Sequence, residues 1–418
     1  MKTFYISIFL LIGFLPKQTI AQWLNCDNGK YMDSIYSSKL VNTVEFGENY
    51  TAAGKYQKLY MDVYVPENDT SEYRPVVVLA FGGAYIKGEK EDVKPVCEIF
   101  NARGYVCAAI DYRLFDKFVF PDSAVILDEG LKARADMIAA IKYLRWDADN
   151  ENRWRINPDF IFSGGASSGS ITALMTAYFN ENDSLDLKDW MKPVLTANGG
   201  YEGDSYFDYT GNYNYNVSGV ANMLGAITDL NYIDKGEPLH VGIHGTEDDV
   251  VPYGEGYIKL LDIPVFKVYG SSLVHQKALE ENIHSSFISV DGGKHGDFLK
   301  DGSPWLDSMM NTTFNDFSRL VLCPEYSKTN DLNNTGITIS PNPANDYLKI
   351  SIYPPAELSE DRVLIYDIDG RLLINELYDN KIGIDIKSIP KGVYFVKIID
   401  NNNRKYGVKM FVKALTVK

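Results

Sequence analysis

Little in this 418-residue chain can titrate near neutral pH, since it has only five histidines and four cysteines. No Cys-x-x-Cys pair or His/Cys cluster occurs, so the spacing of a metal site is missing and no metal or cofactor is expected. Positive charge is short as well. The 41 Lys+Arg stand against 56 Asp+Glu, and a net charge of -15 repels phosphate backbones, which argues against a nucleic-acid partner. Beyond the first residues no apolar run is long enough for a bilayer, so no transmembrane segment is expected. Apolar content is ample at 45%, enough for a sizeable core, and the length suggests two domains.

The N-terminus reads Lys2, an apolar stretch over 4–15, then Thr19-Ile20-Ala21. A charged start, a short apolar core and small residues predict a signal peptide over 1–21 and an exported chain beginning at Gln22. An oxidising compartment permits disulfides, in three possible pairings for four cysteines. Cys26 and Cys323 bracket the central region and are expected to join its ends. Cys97 and Cys107 lie in apolar surroundings and read as buried thiols.

The most informative stretch is Phe160-Ile161-Phe162-Ser163-Gly164-Gly165-Ala166-Ser167-Ser168-Gly169-Ser170, an apolar run, a glycine-rich turn and then a helix-forming run over 171–178. Gly165-Ala166-Ser167-Ser168-Gly169 fits G-x-S-x-G in the strand–turn–helix setting of a nucleophile elbow. A serine held in so sharp a turn crowds residues two before and two after, which must lack a Cβ. Ser163, Ser168 and Ser170 lack glycine at both positions; Ser167 has it. A plain tight turn is the alternative for the pentapeptide taken alone.

Around it the chain alternates. Residues 59–65 have the period of an early antiparallel strand at a sheet edge, and 76–81 form a continuous apolar strand ending in Gly82-Gly83-Ala84-Tyr85. A helix over 93–102, a second buried strand over 105–110 and a helix over 127–146 precede the elbow strand. Alternating strands and helices predict an α/β fold, a doubly wound and mostly parallel sheet with its sites at the strands' carboxyl ends. Between 180 and 236 the pattern thins. Tyr201, Tyr206, Tyr209, Tyr213 and Tyr215 mark either a wall over the site or an irregular loop pinned by tyrosines, ahead of an apolar strand over 217–224.

Phe81-Gly82-Gly83-Ala84-Tyr85, Asp111-Tyr112-Arg113-Leu114, Ile156-Asn157-Pro158-Asp159 and the elbow follow one another as in α/β-hydrolase esterases of the hormone-sensitive-lipase and carboxylesterase kind, which residues 55–310 resemble. The resemblance implies an oxyanion hole from the backbone N–H groups of Gly83, Ala84 and Ser168. Phe81 stands where that family has histidine, and Ala84 where it has glycine; neither exchange removes a main-chain donor. His244-Gly245-Thr246-Glu247-Asp248-Asp249-Val250-Val251-Pro252 looks like the family's H-G-T-x-D-x-x-V-P turn, which makes Asp248 the triad acid over Glu247 and Asp249. A strand over 286–290 then delivers Asp291-Gly292-Gly293-Lys294-His295-Gly296, so His295 is the base, in the order Ser167, Asp248, His295. Of the other histidines, His240 reads as a core residue, His244 as a support of the acid turn, and His275 and His284 as surface residues flanking a polar helix over 276–282.

A last amphipathic helix over 305–322 closes a catalytic region read as 22–327, and a polar linker over 328–337 follows. Residues 338–418 then change to short alternating strands (347–352, 363–366, 372–374, 393–399, 407–412) with a hairpin turn at Asp369-Gly370, a small all-β sandwich. Ser340-Pro341-Asn342-Pro343-Ala344, Asp369-Gly370-Arg371 and Pro390-Lys391-Gly392-Val393-Tyr394 resemble the C-terminal sorting domain of type IX secretion, which implies that export machinery as a partner and an extracellular or outer-membrane-surface location. A carbohydrate-binding module is the alternative, against which stands a tail without tryptophan.

The expected function is a secreted serine hydrolase of carboxylic esters that forms an acyl-enzyme. Its substrates would be short-chain, acetyl or feruloyl polysaccharide esters, or polyesters. An exported peptidase with the same triad, or a silent surface-binding protein, is the alternative.

Overall fold

A computed structural model describes residues 24, 26, 29–119, 122–207, 212–260, 263–300, 302–323, 336–340, 344, 346–353, 362–367, 371–377, 383–399 and 405–413. The expected signal peptide, most of the linker and the Asp369-Gly370 turn lie outside these residues. In the first unit the elements run β1 (Ser38–Tyr50), β2 (Tyr56–Pro66), β3 (Arg74–Ala80), α1 (Lys94–Asn101), β4 (Val106–Ile110), α2 (Ser123–Asn150), β5 (Ile156–Ala166), α3 (Ser168–Tyr178), α4 (Glu181–Leu185) and α5 (Met191–Ala197). They continue with β6 (Gly219–Met223), β7 (Ala226–Ile227), β8 (Leu239–Gly245), β9 (Glu255–Leu260), β10 (Ile263–Gly270), α6 (Ser271–Glu280), β11 (Ser285–Val290) and α7 (Pro304–Asp316).

Eight strands form one sheet in the order β1-β2-β4-β3-β5-β6-β8-β11. The β1–β2 and β2–β4 pairings are antiparallel, and every pairing from β4 to β11 is parallel. Strands β3, β4, β6 and β8 are buried at every residue, as continuous apolar runs covered on both faces should be. On one face α1 and α7 meet through Phe100 and Phe314, whose rings cross edge-on at 4.9 Å. On the other, α2 is held to the C-terminal end of α3 by Arg134, which donates to the carbonyls of Met175 and Phe179. Met175 O also accepts the Phe179 N–H, whereas Phe179 follows the last residue of α3, where a carbonyl has no helical partner.

The strand over 59–65 proves to be second in the sheet, and β1 takes the edge. Little in β1 marks it as a strand, because only Phe46 and Gly47 along its thirteen residues are buried. Of the tyrosine-rich stretch, Tyr209 lies outside the described residues, and the described part runs beside the edge strand and α2. Tyr206 pairs with Glu48 of the edge strand, Phe207 packs on Tyr143 and Trp146 near the far end of α2, and Tyr213 reaches Asn150. A cover comes from β9 and β10, a hairpin inserted after the acid turn, which joins β7 in a separate three-stranded sheet.

Cys26 and Cys323 are joined, with Cα atoms 6.0 Å apart across 297 residues of chain. Cys97 and Cys107 are joined as well, Cα–Cα 5.3 Å, which corrects their reading as thiols. Helix α1 folds straight back onto β4, so its inward Cys97 meets the strand's Cys107.

The second unit contains β12 (Gly336–Ser340), β13 (Tyr347–Tyr353), β14 (Arg362–Tyr366), β15 (Leu372–Leu377), β16 (Ile384–Asp385), β17 (Gly392–Ile399) and β18 (Lys405–Lys413), in antiparallel sheets of three and four strands. Leu348, Ile350 and Ile384 from one sheet share a core with Val363, Ile365, Ile374, Val396 and Ile398 from the other. The all-β sandwich has its own core.

One buried charge in the first unit has a testable consequence. Glu129 of α2 is 1% exposed, and among the described residues neither of its oxygens has a hydrogen-bond partner. Burial pushes its pKa up to about 7, with Lys132 opposing only in part. An acid raised in the folded state binds its proton better there than in the unfolded chain. The folded state is therefore penalised as pH climbs from the unfolded value to about 7, and the penalty is constant above that. Glu129→Gln removes the ionisation, so its Tm relative to wild type should rise between pH 5 and pH 8, by the equivalent of about 2.5 kcal/mol. Thermal melts across that range check it; a pH-independent difference would refute the assignment.

Candidate active site

The elbow strand β5 ends at Ala166, and Ser167 takes φ 54° and ψ -121° before α3 starts at Ser168. A β-carbon cannot easily sit at a positive φ, so this strain is held by the surrounding structure. Ser167 donates its N–H to the Met223 carbonyl at 3.0 Å, and its own carbonyl accepts from Ile171 at 2.9 Å. The flanking glycines are obligatory. A Cβ at Gly165 would lie 2.5 Å from the Ala80 carbonyl oxygen, and one at Gly169 only 2.1 Å from the same atom.

Ser167 Oγ lies 3.0 Å from His295 Nε2, and His295 Nδ1 lies 2.7 Å from Asp248 Oδ2. Three residues spread over 128 positions thus share one hydrogen-bonded line. Each comes from a strand's carboxyl end: Ser167 after β5, Asp248 after β8, His295 after β11. The imidazole keeps 20% of its surface exposed, whereas the Asp248 side chain is fully buried.

Burial alone would raise the Asp248 pKa. Hydrogen bonds from His244 and His295, with the Val250 N–H, outweigh it and hold the carboxyl well below the usual carboxylate range. Oδ1 accepts the N–H groups of Val250 and Val251, both at 2.9 Å, and Oδ2 has His244 Nε2 at 3.2 Å beside His295. The carboxylate is ionised and saturated with donors. His244 supports the acid turn directly.

The first glycine turn lies against the nucleophile, since a Cβ at Gly82 would stand 3.3 Å from that of Ser167. Gly83 and Ala84 take φ 128° and 57°, and among the described residues nothing accepts the N–H groups of Gly83, Ala84 or Ser168. Phe81 changes how this turn is braced. Its ring stacks on Tyr112 at 4.2 Å, and the Tyr112 hydroxyl donates to the Phe81 carbonyl at 2.9 Å. Behind it Arg113 is clamped to buried Asp136 at 2.9 Å. The Asp-Tyr-Arg run therefore supports the turn from below.

Beside Tyr85 and Ile171, one helical turn from Ser167, lies a narrow apolar pocket walled also by Met175 of α3 and by Ile258, Phe266 and Val268 of the β9–β10 hairpin. Its free space is about 30 Å³. Sequence reasoning missed this wall, because the hairpin falls between the acid and base motifs and was read as neither.

Three of the other histidines are also fixed. His240 is fully buried, and burial lowers its pKa to about 3, so it is neutral. His284 stays at the surface and meets Asp316 at 3.0 Å. His275, expected at the surface, is instead half-buried, stacked on Phe287 and bonded to Ser285. Among the described residues no cluster of His, Cys, Asp or Glu could hold a metal ion, and no helix is long and apolar enough to cross a membrane.

A mixed eight-stranded sheet with a serine elbow, an acid turn and a histidine loop at its carboxyl rim defines the α/β-hydrolase class. Residues 61–202 match the BD-FAE family, and residues 338–413 match the secretion system C-terminal sorting domain. The first match is to a family of α/β-hydrolase carboxylic esterases, and the second is to a type IX sorting domain, which marks the chain for secretion or the outer-membrane surface.

Among curated proteins the chain is similar to the probable isoprenylcysteine alpha-carbonyl methylesterase ICMEL1 of Arabidopsis thaliana, at 27% identity over 37% of this chain and 28% of the relative. The protein of that name from Oryza sativa subsp. japonica is also 27% identical, over 43% of this chain and 36% of the relative. The match thus spans roughly a third of either relative's length. Among solved structures, Thermogutta terrifontis esterase 2 phosphorylated by paraoxon aligns with a TM-score of 0.49 and 16% identity, covering 67% of this chain and 94% of that one. Its propionate-bound form aligns with a TM-score of 0.48 and 17% identity over the same shares.

Proposed function

We propose that this protein is an exported serine hydrolase that cleaves carboxylic esters of short acyl groups. The observation that carries the reading is the line Ser167 Oγ, His295, Asp248, with contacts of 3.0 and 2.7 Å. Because Asp248 is an ionised acceptor, His295 carries its proton on Nδ1 and turns the Nε2 lone pair to Ser167. Ser167 then attacks the ester carbonyl as Nε2 takes its proton. The oxyanion that forms meets the unpaired N–H groups of Gly83, Ala84 and Ser168. Such a donor is worth about 2.7–4 kcal/mol of barrier in comparable enzymes. His295 returns the proton to the leaving alcohol, and water, activated by the same imidazole, resolves the acyl-enzyme.

The pocket beside Tyr85 and Ile171 is the acyl site in this reading. At one water per about 10–15 Å³, its free space admits roughly two water-sized groups, which suits acetyl better than long chains. With export by the type IX route, the favoured substrates are acetyl esters of extracellular polysaccharide and other small esters, with feruloyl esters and polyesters next.

The test is a panel of p-nitrophenyl acetate and butyrate, acetylated xylan, methyl ferulate and dipeptide p-nitroanilides, run beside fluorophosphonate labelling of wild type and Ser167→Ala. Acetyl-ester turnover and labelling in wild type, with neither in the variant, is the expected result. Turnover of the peptides alone would make it a peptidase. A wild type that takes no label would sink the hydrolase reading and leave a binding protein.

A further inference from the structure

Behind Asp248 the site continues as a buried array of polar side chains that the triad itself does not need. Asn222 sits at its centre, on β6, fully buried. Its orientation is fixed by the main chain. The Gly225 N–H can only donate, and it lies 2.9 Å from Oδ1. Ser170 of α3 gives its hydroxyl proton to the same oxygen at 2.7 Å. The amide nitrogen therefore faces the other way, donating to His240 Nε2 at 2.9 Å and to Ser271 Oγ at 3.0 Å.

The protons of the whole array follow from that one orientation. His240 Nε2 is an acceptor, so its proton is on Nδ1, which donates to Ser285 Oγ at 2.8 Å, and Ser285 Oγ lies 2.8 Å from His275 Nδ1. On the other branch, Ser271 accepts from Asn222 and has one proton to give. Its nearer acceptor is His244 Nδ1 at 2.8 Å, with the Gly225 carbonyl at 3.0 Å. His244 Nε2 is then the N–H, as its neighbours require, because the Val251 carbonyl at 3.1 Å and Asp248 Oδ2 at 3.2 Å are both acceptors. His244 and Ser271 are each fully buried, so no bulk water competes for these bonds.

We propose that Ser271 and Asn222 are positioning residues for the hydrolysis. They fix the tautomer of His244, and His244 in turn keeps an N–H, shared with the Val251 carbonyl, beside Asp248 Oδ2, which holds the carboxylate in line with His295. Asn222 also ties the acid to the nucleophile, since Ser170 lies on the helix that begins at Ser168 and Ser167 bonds to Met223, the next residue along β6. None of these groups touches the reacting atoms. They act through the orientation of Asp248, and the inference rests on the triad reading above.

The test is a double-mutant cycle on p-nitrophenyl acetate between Ser271→Ala and His244→Gln. A glutamine amide can still give an N–H to Asp248 but has no Nδ1 whose protonation needs setting. Ser271→Ala alone should lower kcat about tenfold with KM within about twofold, and the same change in the His244→Gln background should cost less than about twofold. His244→Gln alone should stay within about fivefold of wild type, and His244→Phe should fall at least about tenfold below it. Thermal melts of each variant confirm that all are folded. An equal penalty for Ser271→Ala in both backgrounds, or a His244→Phe enzyme as active as wild type, overturns the proposal while leaving the triad intact. Absence of any esterase activity in wild type would instead strike the triad reading.

Discussion

Asp248→Asn should lower kcat for ester hydrolysis by about 10⁴-fold with little change in KM. The reason lies in how the acid turn is wired. Val250 and Val251 aim two N–H groups at Oδ1, so the carbonyl oxygen of the new amide takes that side. Its NH₂ is then driven toward His295 Nδ1 and His244 Nε2, donor against donor. His295 relieves the clash by moving its proton to Nε2, which faces Ser167 with an N–H instead of a lone pair. The base is lost although nothing has moved. Steady-state kinetics on p-nitrophenyl acetate check it; a loss smaller than about tenfold would mean that Asp248 does not set the tautomer.

Gly169→Ala should damage both stability and activity. The added methyl would stand 2.1 Å from the Ala80 carbonyl oxygen and 2.4 Å from that of Phe81, both main-chain atoms. Those residues end β3 and open the turn with the unpaired N–H groups, so the turn must shift away from Ser167. A loss of about 3–5 kcal/mol and a Tm lower by roughly 10 °C are expected, with turnover near background. Gly292→Ala is the control, since it has positive φ (68°) but nothing within 4 Å of a Cβ, and should cost about 1 kcal/mol. Equal melting temperatures for the two variants would show that space at position 169 is not what glycine provides.

The three motifs whose side chains meet at Ser167, Asp248 and His295, and the first turn, were legible because each is a local run whose glycines or prolines answer to one bend in the chain. Ser167 needed Gly165 and Gly169 on either side, and Asp248 needed the spacing to Val251-Pro252. Parallel strands β3 and β4 were legible as unbroken apolar runs. Edge strand β1 was not, since exposure leaves its alternation without an apolar partner. The Cys97–Cys107 bond depends on α1 turning back across a short loop, which composition does not record. Asn222, Ser271 and Ser285 carry no motif at all. Asn222 is one polar residue in an apolar strand, Ser271 and Ser285 each stand beside another serine, and only the convergence of β6, α6 and β11 makes them a unit.

The Cys26–Cys323 bond makes a closed ring of the first unit, sealed at the point where the chain departs toward the sorting domain. Any pull on the C-terminal segment would therefore be taken up covalently at Cys323 and passed to Cys26, rather than peeling α7 from the sheet. Proteolytic severing of the chain beyond Cys323 would release a body whose two ends are already welded together.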